Sequence, residues 1–303
     1  MIPEKDFAGR QARGARGHQE DAYAFTDISS TDGSHREEGL LAVIADGMGG
    51  HTSGERASEL ALESFIDAFH EAGGTLRERL KNAAVAANDA LAEELKRQPE
   101  LEGMGTTLLA VGVTKNGAEW VSVGDSPLYL WSRNKLTRLN EDHSFRPVLQ
   151  EMLALGKITP PEMARHPFRN LLRAAITGAE IELIDLSEEP VALHEGDMIL
   201  AATDGIQTLS DDAIAAILAK ASMANDAFVL ASGLVQGVLA AGHPKQDNTT
   251  VAIIKTGPEG FVAHAPEAEK DSKPHTETVV MNPLLKQKQA GERGILTGEN
   301  GGN

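Results

Sequence analysis

Acidic residues recur in this chain where apolar runs begin or end, and they are the residues best placed to do chemistry. Asp46 and Asp204 each follow an apolar run, Asp247 precedes another, and Glu20 and Asp21 form an acidic pair near the N-terminus. A carboxylate at the end of a buried strand lies where the chain leaves the core, so it faces a cleft. Several converging carboxylates repel one another unless cations neutralise them. The pattern therefore predicts a metal site assembled from distant parts of the chain.

The donor types at this site indicate which ion it would bind. The chain has no cysteine and these motifs offer no paired histidine ligands, so oxygen donors favour Mn²⁺ or Mg²⁺ over zinc. Two such ions bridged by Asp46 would hold a water molecule and lower its pKa, giving a hydroxide suited to in-line attack on a phosphoryl group. The Gly47 carbonyl can approach an ion without side-chain obstruction. Arg16 offers a planar, bidentate fork for phosphate oxygens, so the expected chemistry is phosphate-ester hydrolysis.

Composition narrows the class of protein. The chain has 303 residues, of which 41% are hydrophobic and 24% charged, as in ordinary soluble globular proteins. Its net charge of −17 argues against binding to nucleic acid or to an anionic membrane surface. No stretch of the sequence approaches the roughly 18 apolar residues of a membrane span, and the N-terminus lacks a secretory pattern. We therefore expect a cytoplasmic protein with no nucleic-acid or membrane partner.

The hydrophobic pattern divides the chain into one folded unit and a tail. Residues 5–256 alternate between strand and helix signals, whereas residues 257–303 have few apolar residues and are expected to be disordered. Strands are predicted near residues 40–46, 106–113, 119–123, 128–131, 181–187, 197–203 and 249–255, and helices near residues 57–69, 76–95, 211–220 and 224–240. Residues 144–175 carry helical signals that prolines interrupt. In the tail, the segment 275–281 suits a kinase target, a short partner motif or a plain linker.

The motifs taken together resemble those of a known family. The chain resembles the metal-dependent protein phosphatase 2C (PPM-type) family of serine/threonine phosphatases, in its bacterial branch, over about residues 7–256. The matching motifs lie at residues 16–21, 46–50, 105–107, 123–126, 142–144, 155–160, 203–205 and 246–250. The resemblance implies an α+β fold, a four-layer α-β-β-α sandwich of two mainly antiparallel sheets flanked by helices. It further implies hydrolysis of phosphoserine and phosphothreonine in proteins, opposition to a bacterial Ser/Thr kinase, and a mobile flap at residues 144–175.

The resemblance also implies roles for single residues. Asp46, the Gly47 carbonyl, Asp204 and Asp247 would be direct ligands of two Mn²⁺ or Mg²⁺ ions. Glu20 and Asp21 would act mainly through metal-bound waters, and Asp125 would correspond to the carboxylate that holds a third, weaker ion. The expected catalytic residues are Arg16, which would bind the substrate phosphate, and Asp46, which would bridge the ions.

Two positions depart from the family pattern. Met48 stands where many eukaryotic members have a histidine proposed as the general acid, and a thioether cannot donate a proton. His18 and His51 are nearby in sequence, but a metal-bound water is the preferred proton donor. Pro127 stands where bacterial relatives often have an arginine, which weakens the support that this loop gives to a phosphate or to a third ion.

Two other functions are consistent with the same residues. A catalytically silent domain of this fold would bind a phosphorylated partner or a signal, although every expected ligand position is filled here. Hydrolysis of a small phosphate metabolite would use the same chemistry on a different substrate. Metal titration with a turnover assay distinguishes the first alternative, and competition between phosphoprotein and small phosphoesters distinguishes the second.

Overall fold

The computed structural model describes residues 1–29, 38–49, 52–220 and 226–257. Its strands are β1 (Phe7–Ala12), β2 (Asp21–Asp27), β3 (Gly39–Met48), β4 (Gly105–Thr106), β5 (Leu108–Thr114), β6 (Gly117–Val123), β7 (Leu128–Ser132), β8 (Lys135–Arg138), β9 (Asp185–Leu186), β10 (Met198–Ala202) and β11 (Thr249–Lys255). Its helices are α1 (Thr52–Glu71), α2 (Leu76–Arg97), α3 (Arg146–Ala154), α4 (Pro160–Ala164), α5 (Asp211–Lys220) and α6 (Ala227–Ala240), with short 3₁₀ segments at Pro99–Leu101 and Asp204–Thr208. None of these helices has both the length and the apolarity needed to cross a membrane. The tail segment 275–281 lies outside the described residues.

The strands form two antiparallel sheets. Within the described residues, one sheet has five strands in the order β1-β11-β10-β7-β8, and the other has six, in the order β2-β3-β5-β6-β9 with β4 beside β3. The last strand, β11, lies between β1 and β10 and pairs antiparallel with both. This position brings the start of β11 next to the ends of β1 and β10. Acidic motifs from the beginning, the middle and the end of the chain therefore meet at one end of the strands.

In the part of the chain that the structure describes, apolar side chains form three cores that separate four layers. Between the sheets lie buried residues from both, among them Phe25, Ile44, Ile199 and Ile254. Helices α1 and α2 pack on the outer face of the six-stranded sheet, and α5 and α6 pack on the outer face of the five-stranded sheet. The predicted α-β-β-α sandwich is confirmed.

Two predicted strands differ from the structure. The strand predicted at residues 106–113 is divided at Thr107, although β4 and β5 both pair with β3 in one continuous register. The Thr107 N–H donates to the Asp46 carbonyl as in a regular ladder, whereas the Asp46 N–H donates to the Thr107 hydroxyl. The strand predicted at residues 181–187 is reduced to β9. The apolar residues of 181–184 pack against the core beneath α1 and α2 instead of joining the sheet.

Residues 144–175 form an excursion from the sandwich that is closed at its base. It contains α3 and α4, as the interrupted helical pattern predicts. An isolated bridge joins Ser144 to Leu172, and the Phe145 N–H donates to the Leu171 carbonyl at 2.8 Å. The two ends of the excursion are therefore held together while its helices project beside the sandwich.

Candidate metal centre

A cleft of about 900 Å³ opens where the ends of β3, β10 and β11 meet. The predicted site residues that line it are Arg16, Glu20, Asp46, Gly47, Asp125, Asp204 and Asp247. The remaining one, Asp21, does not line the cleft and is buried beside Asp46. The fold thus gathers the predicted residues at one place, while their roles stay predictions.

Strands β2 and β3 set two carboxylates side by side. Asp21 and Asp46 are direct partners in the antiparallel register, an arrangement that puts Cβ atoms about 4.5–5.5 Å apart. Thr107 fixes the Asp46 backbone twice, because its hydroxyl accepts from the Asp46 N–H at 3.0 Å and its own N–H donates to the Asp46 carbonyl at 2.9 Å. Thr107 belongs to the matching motif at 105–107, but its supporting role emerges only from these contacts.

Asp21 is a buried carboxylate that is only partly satisfied. Its Oδ2 accepts from the hydroxyls of Thr203 at 2.9 Å and Thr250 at 2.7 Å. Its Oδ1 is buried and has no hydrogen-bond partner within the described residues. Burial raises the pKa of Asp21 to about 7, and the two threonine hydrogen bonds oppose that rise. An unsatisfied oxygen beside Asp46 suits a donor such as an ion-bound water, which is the role predicted for Asp21.

Gly47 packs where a larger residue does not fit. Its N–H donates to the Glu20 carbonyl at 3.1 Å. A Cβ at position 47 would collide with the carbonyl oxygens of Gly54 and Glu20. Packing alone therefore requires glycine here, and the metal-binding role of the Gly47 carbonyl stays a prediction.

Arg16 and Asp247 bind each other at one corner of the cleft, called here the Arg16 corner. Arg16 Nη2 and Asp247 Oδ2 are 2.5 Å apart, and 53% and 39% of the two side chains are exposed. This hydrogen bond is the largest cause of a raised pKa of Arg16. The sequence predicts a phosphate as the partner of Arg16 and an ion as the partner of Asp247. Because an exposed ion pair contributes only about 0–1 kcal/mol, both groups can exchange partners.

Asn248 holds the loop that carries Arg16. Its Oδ1 accepts from the Glu20 N–H at 2.8 Å, and its Nδ2 donates to the carbonyls of Arg13 at 2.9 Å and His18 at 3.0 Å. One side chain thus ties the 13–20 segment to the start of β11. Asn248 lies in the fourth acidic motif, next to Asp247, but the sequence pattern does not indicate this bracing role.

Burial, and then the neighbouring carboxylates, raise the pKa values of the aspartates in the cleft. Burial raises the pKa of Asp46, and Asp21 and Asp204 raise it further. Burial, then Asp247, raises the pKa of Asp204 to about 6. In the described part of the chain, no three acidic or histidine side chains already form a closed ion-binding cluster. Oxygen donors, excess negative charge and the unsatisfied Asp21 oxygen fit hard divalent ions, which would draw the carboxylates together.

Asp125 occupies a second corner, the Asp125 corner, in the loop between β6 and β7. Gly124 has a φ of +115°, which favours glycine, and its N–H donates to His143 Nδ1 at 3.2 Å. Burial lowers the pKa of His143, which keeps this ring neutral and able to accept. Arg138 Nη2 donates to the Asp125 carbonyl at 3.2 Å, and Arg146 Nη2 lies 3.8 Å from Asp125 Oδ2. Two guanidinium groups that the sequence motifs do not single out therefore flank Asp125.

The positions that depart from the family pattern lie at or near the cleft. Met48 and His18 line it, whereas His51 lies outside the described residues. The Pro127 carbonyl accepts from the Ala202 N–H at 3.0 Å, which ties this loop to β10. The cations near Asp125 come from β8 and α3 and not from position 127.

A family model described as Protein phosphatase 2C matches residues 8–229. The chain belongs to the protein phosphatase 2C family. The match begins in β1 and ends in α6, so it includes Asp46, Asp125 and Asp204 and stops before Asp247.

Both sequence and structure comparisons show relatives of this protein phosphatase 2C member. The serine/threonine protein phosphatase PstP of Mycobacterium tuberculosis is 37% identical over 215 residues, which is 70% of this chain but only 40% of that protein. A crystal structure of PstP/Ppp from the same organism has a TM-score of 0.66 at 32% identity, covering 83% of this chain and 98% of that one. The PstP catalytic domain in complex with two manganese ions has a TM-score of 0.64 at 32% identity, covering 82% and 96%. These likenesses confirm the predicted family and fold.

Proposed function

We propose that this chain is a metal-dependent protein serine/threonine phosphatase that hydrolyses phosphoserine and phosphothreonine. One observation carries the proposal: Asp46, Asp204 and Asp247 face a single cleft beside Arg16. Carboxylates attract hard cations and a guanidinium attracts phosphate, so the cleft combines the two kinds of group that phosphoryl hydrolysis needs. Membership of the protein phosphatase 2C family, and the two manganese ions of the related PstP catalytic domain, support the same reaction.

The ligands of the proposed ion pair come from three parts of the chain. Asp46, the Gly47 carbonyl, Asp204 and Asp247 would hold two Mn²⁺ or Mg²⁺ ions, with Asp46 between them. When bound, the ions would lower the pKa of a water molecule so that it attacks phosphorus in line. Glu20 would position water from the cleft side, and Asp21 would do so from the buried side through its unsatisfied Oδ1.

The Arg16 corner would change partners when the cleft is loaded. Asp247 would then bind an ion, and Arg16 would be free to donate two parallel N–H bonds to the phosphate oxygens. Before the cleft is loaded, the contact with Asp247 holds Arg16 at this corner. Met48 lines the cleft but has no proton to give, so a water molecule would supply the proton to the leaving serine or threonine oxygen.

The test is turnover of a phosphothreonine peptide with and without Mn²⁺. We expect turnover to require Mn²⁺ and to stop when EDTA removes it. Asp46→Ala and Asp204→Ala should each lower turnover by about three orders of magnitude, since each removes a charge that holds the ions. Asp212→Asn changes an exposed aspartate at the start of α5 and should keep wild-type turnover as the matched control. Wild-type turnover by either cleft variant would refute the metal assignment.

The two alternatives predict different results in the same experiments. A catalytically silent domain would bind Mn²⁺ in a calorimetric titration and leave the phosphopeptide intact. An enzyme for a small phosphate metabolite would prefer small phosphoesters when they compete with a phosphoprotein. We expect the phosphoprotein to win this competition.

The proposal extends to the setting of the enzyme. Residues 5–256 would be the catalytic unit, and residues 144–175 would be a mobile flap, since residues 170–175 line the cleft. A bacterial Ser/Thr kinase in the cytoplasm would supply the phosphorylated proteins. Phosphoproteomics of a deletion strain tests this setting, with accumulation of Ser/Thr phosphorylation as the expected result.

A further inference from the structure

Arg146 is a nearly buried cation at the first position of α3. Its side chain is 14% exposed and that of Asp125 is 5% exposed. Its Nη2 lies 3.8 Å from Asp125 Oδ2, and its Nη1 lies 4.0 Å from Asp142 Oδ2. A charge removed this far from water needs opposite charge nearby. The two carboxylates therefore supply the opposite charge that stabilises Arg146 in this position.

The surroundings hold Arg146 at this place. Its N–H donates to Ser144 Oγ at 3.2 Å, and the Ser144 hydroxyl donates in turn to Asp142 Oδ1 at 2.6 Å. Arg138 Nη1 donates to Asp142 Oδ2 at 3.3 Å, so Asp142 is bound from two sides. Arg146 Nε is buried with no hydrogen-bond partner in the described residues, and its guanidinium distances exceed hydrogen-bond length. Charge, more than hydrogen bonding, thus fixes the guanidinium.

A permanent charge at this position affects which ions Asp125 can accept. Arginine does not lose its proton in proteins, so the charge of Arg146 is present at every working pH. Asp125 lines the cleft, and Arg146 is not among the lining residues, which places the guanidinium behind the carboxylate. A divalent ion approaching from the cleft would meet a carboxylate that is already compensated, and the guanidinium would repel it. The residues around Asp125 therefore do not fit a further ion.

We propose that Arg146 takes the place of a third divalent ion as the fixed counter-charge of Asp125, so that this chain binds two ions and not three. The inference rests on the proposed function for the two-ion site. It departs from the expectation, drawn from the resemblance, that Asp125 holds a third, weaker ion. Arg146 is accordingly a positioning residue that sets the number of ions without touching substrate.

Counting the bound ions tests this inference independently of turnover. Equilibrium dialysis against saturating Mn²⁺, followed by elemental analysis, gives the number of ions on each chain, and calorimetry gives their affinities. We expect two ions on the wild-type chain. Arg146→Met keeps a similar length without the charge and should bind a third, weaker ion. Adding Asp125→Asn to that variant should return the count to two.

The matched control removes the same charge from the same excursion at an exposed position. Arg165 lies just after α4, and Arg165→Met should leave the count at two. A third ion on Arg165→Met would show a general effect of net charge and would overturn the inference.

The wild-type count decides the matter even where a variant fails to fold. Three ions on the wild-type chain would overturn the inference, as would two ions on an Arg146→Met chain that melts like the wild type. A wild-type chain that binds no Mn²⁺ would instead refute the proposed function. The failures of the two proposals are therefore distinguishable.

Discussion

The Arg16 corner and the Asp125 corner each contain an arginine paired with an aspartate, but solvent reaches them very differently. Arg16 and Asp247 are 53% and 39% exposed, whereas Arg146 and Asp125 are 14% and 5% exposed. The exposed pair is the shorter one, at 2.5 Å against 3.8 Å. Distance alone would make the exposed pair the firmer contact. Burial reverses this order, because water can replace the partner of Arg16 and cannot reach Arg146 as easily.

This difference gives the same pair of residue types two uses in one cleft. At the Arg16 corner the contact is reversible, so both groups can turn to an ion and to a phosphate. At the Asp125 corner the cation is permanent and nearly buried, so a further ion would meet a positive charge beside the carboxylate. Exposure to water, and not the length of the contact with arginine, therefore distinguishes Asp247, which can bind an ion, from Asp125, which keeps its arginine partner.

Removing the aspartate of each corner should give the largest difference between the corners in turnover and in ion binding. Asp247→Asn should lower turnover by about three orders of magnitude and lose one of two ions, because it removes a direct ligand. Asp125→Asn should lower turnover by about tenfold, the size typical of a group outside the ligand shell, and keep both ions. Steady-state kinetics and calorimetric Mn²⁺ titration measure both effects. Equal losses from the two variants would contradict the distinction between the corners.

The aspartates of both corners and Arg16 were predictable from the sequence, whereas Arg146 was not. Asp46 and Asp204 follow apolar runs, and the local pattern is enough to place each near a strand end. The bracing of Glu20 by Asn248 joins residues 228 positions apart, so no local pattern contains it. Arg146 lies next to a recognisable motif, but its burial against Asp125 depends on how the excursion folds back onto the sandwich.

The layers of the fold were predictable to a similar degree. Apolar runs and turn signals located most strands, and the family resemblance supplied their arrangement in two sheets. The break at Thr107 was missed because the Asp46 N–H donates to the Thr107 hydroxyl there, and these residues lie far apart in sequence. Residues 181–184 have the composition of a strand, yet they pack against the core between α1, α2 and the six-stranded sheet. Tertiary contacts decide whether such a segment pairs in a sheet or packs elsewhere, so the sequence of the segment alone does not show the outcome.

Replacing the arginine of each corner should have a smaller effect, and on different quantities. Arg16→Met should raise KM for a phosphopeptide by about 10- to 100-fold, because charge-assisted hydrogen bonds to the phosphate are lost. Arg146→Met should leave KM near the wild-type value, because Arg146 does not touch substrate. Initial rates over a range of peptide concentrations measure both. Arg16→Lys should fall between wild type and Arg16→Met, since it keeps the charge and loses the planar fork.

The same kinetic measurements can contradict the different roles assigned to Arg16 and Arg146. A KM increase in Arg146→Met as large as that in Arg16→Met would mean that the buried arginine also binds phosphate. The corners would then differ in exposure and share a function.

The smallest expected effect concerns the stability of the chain without ions, and it depends on the buried carboxylates at and beside the cleft. Asp21 and Asp125 have pKa values of about 7, and Asp204 of about 6, each raised mainly by burial. An unfolded aspartate has a pKa of about 3.9, so the folded chain holds more protons between these values and loses stability as the pH rises. In EDTA, the melting temperature should therefore fall by several degrees from about pH 5 to about pH 8. Circular dichroism measures the shift.

Divalent ions should act against this loss, because they neutralise the carboxylates that the rising pH ionises. Mn²⁺ should raise the melting temperature more at high pH than at low pH, since only ionised carboxylates bind it well. Asp21→Asn removes one of the titrating groups and should flatten the pH dependence in EDTA, whereas exposed Asp212→Asn should not change it. A metal-free wild-type chain that is equally stable at both pH values would show that Arg16, Arg138 and Arg146 already balance the charge of the cleft. In that case the cleft would not need divalent ions to balance the charge of its carboxylates.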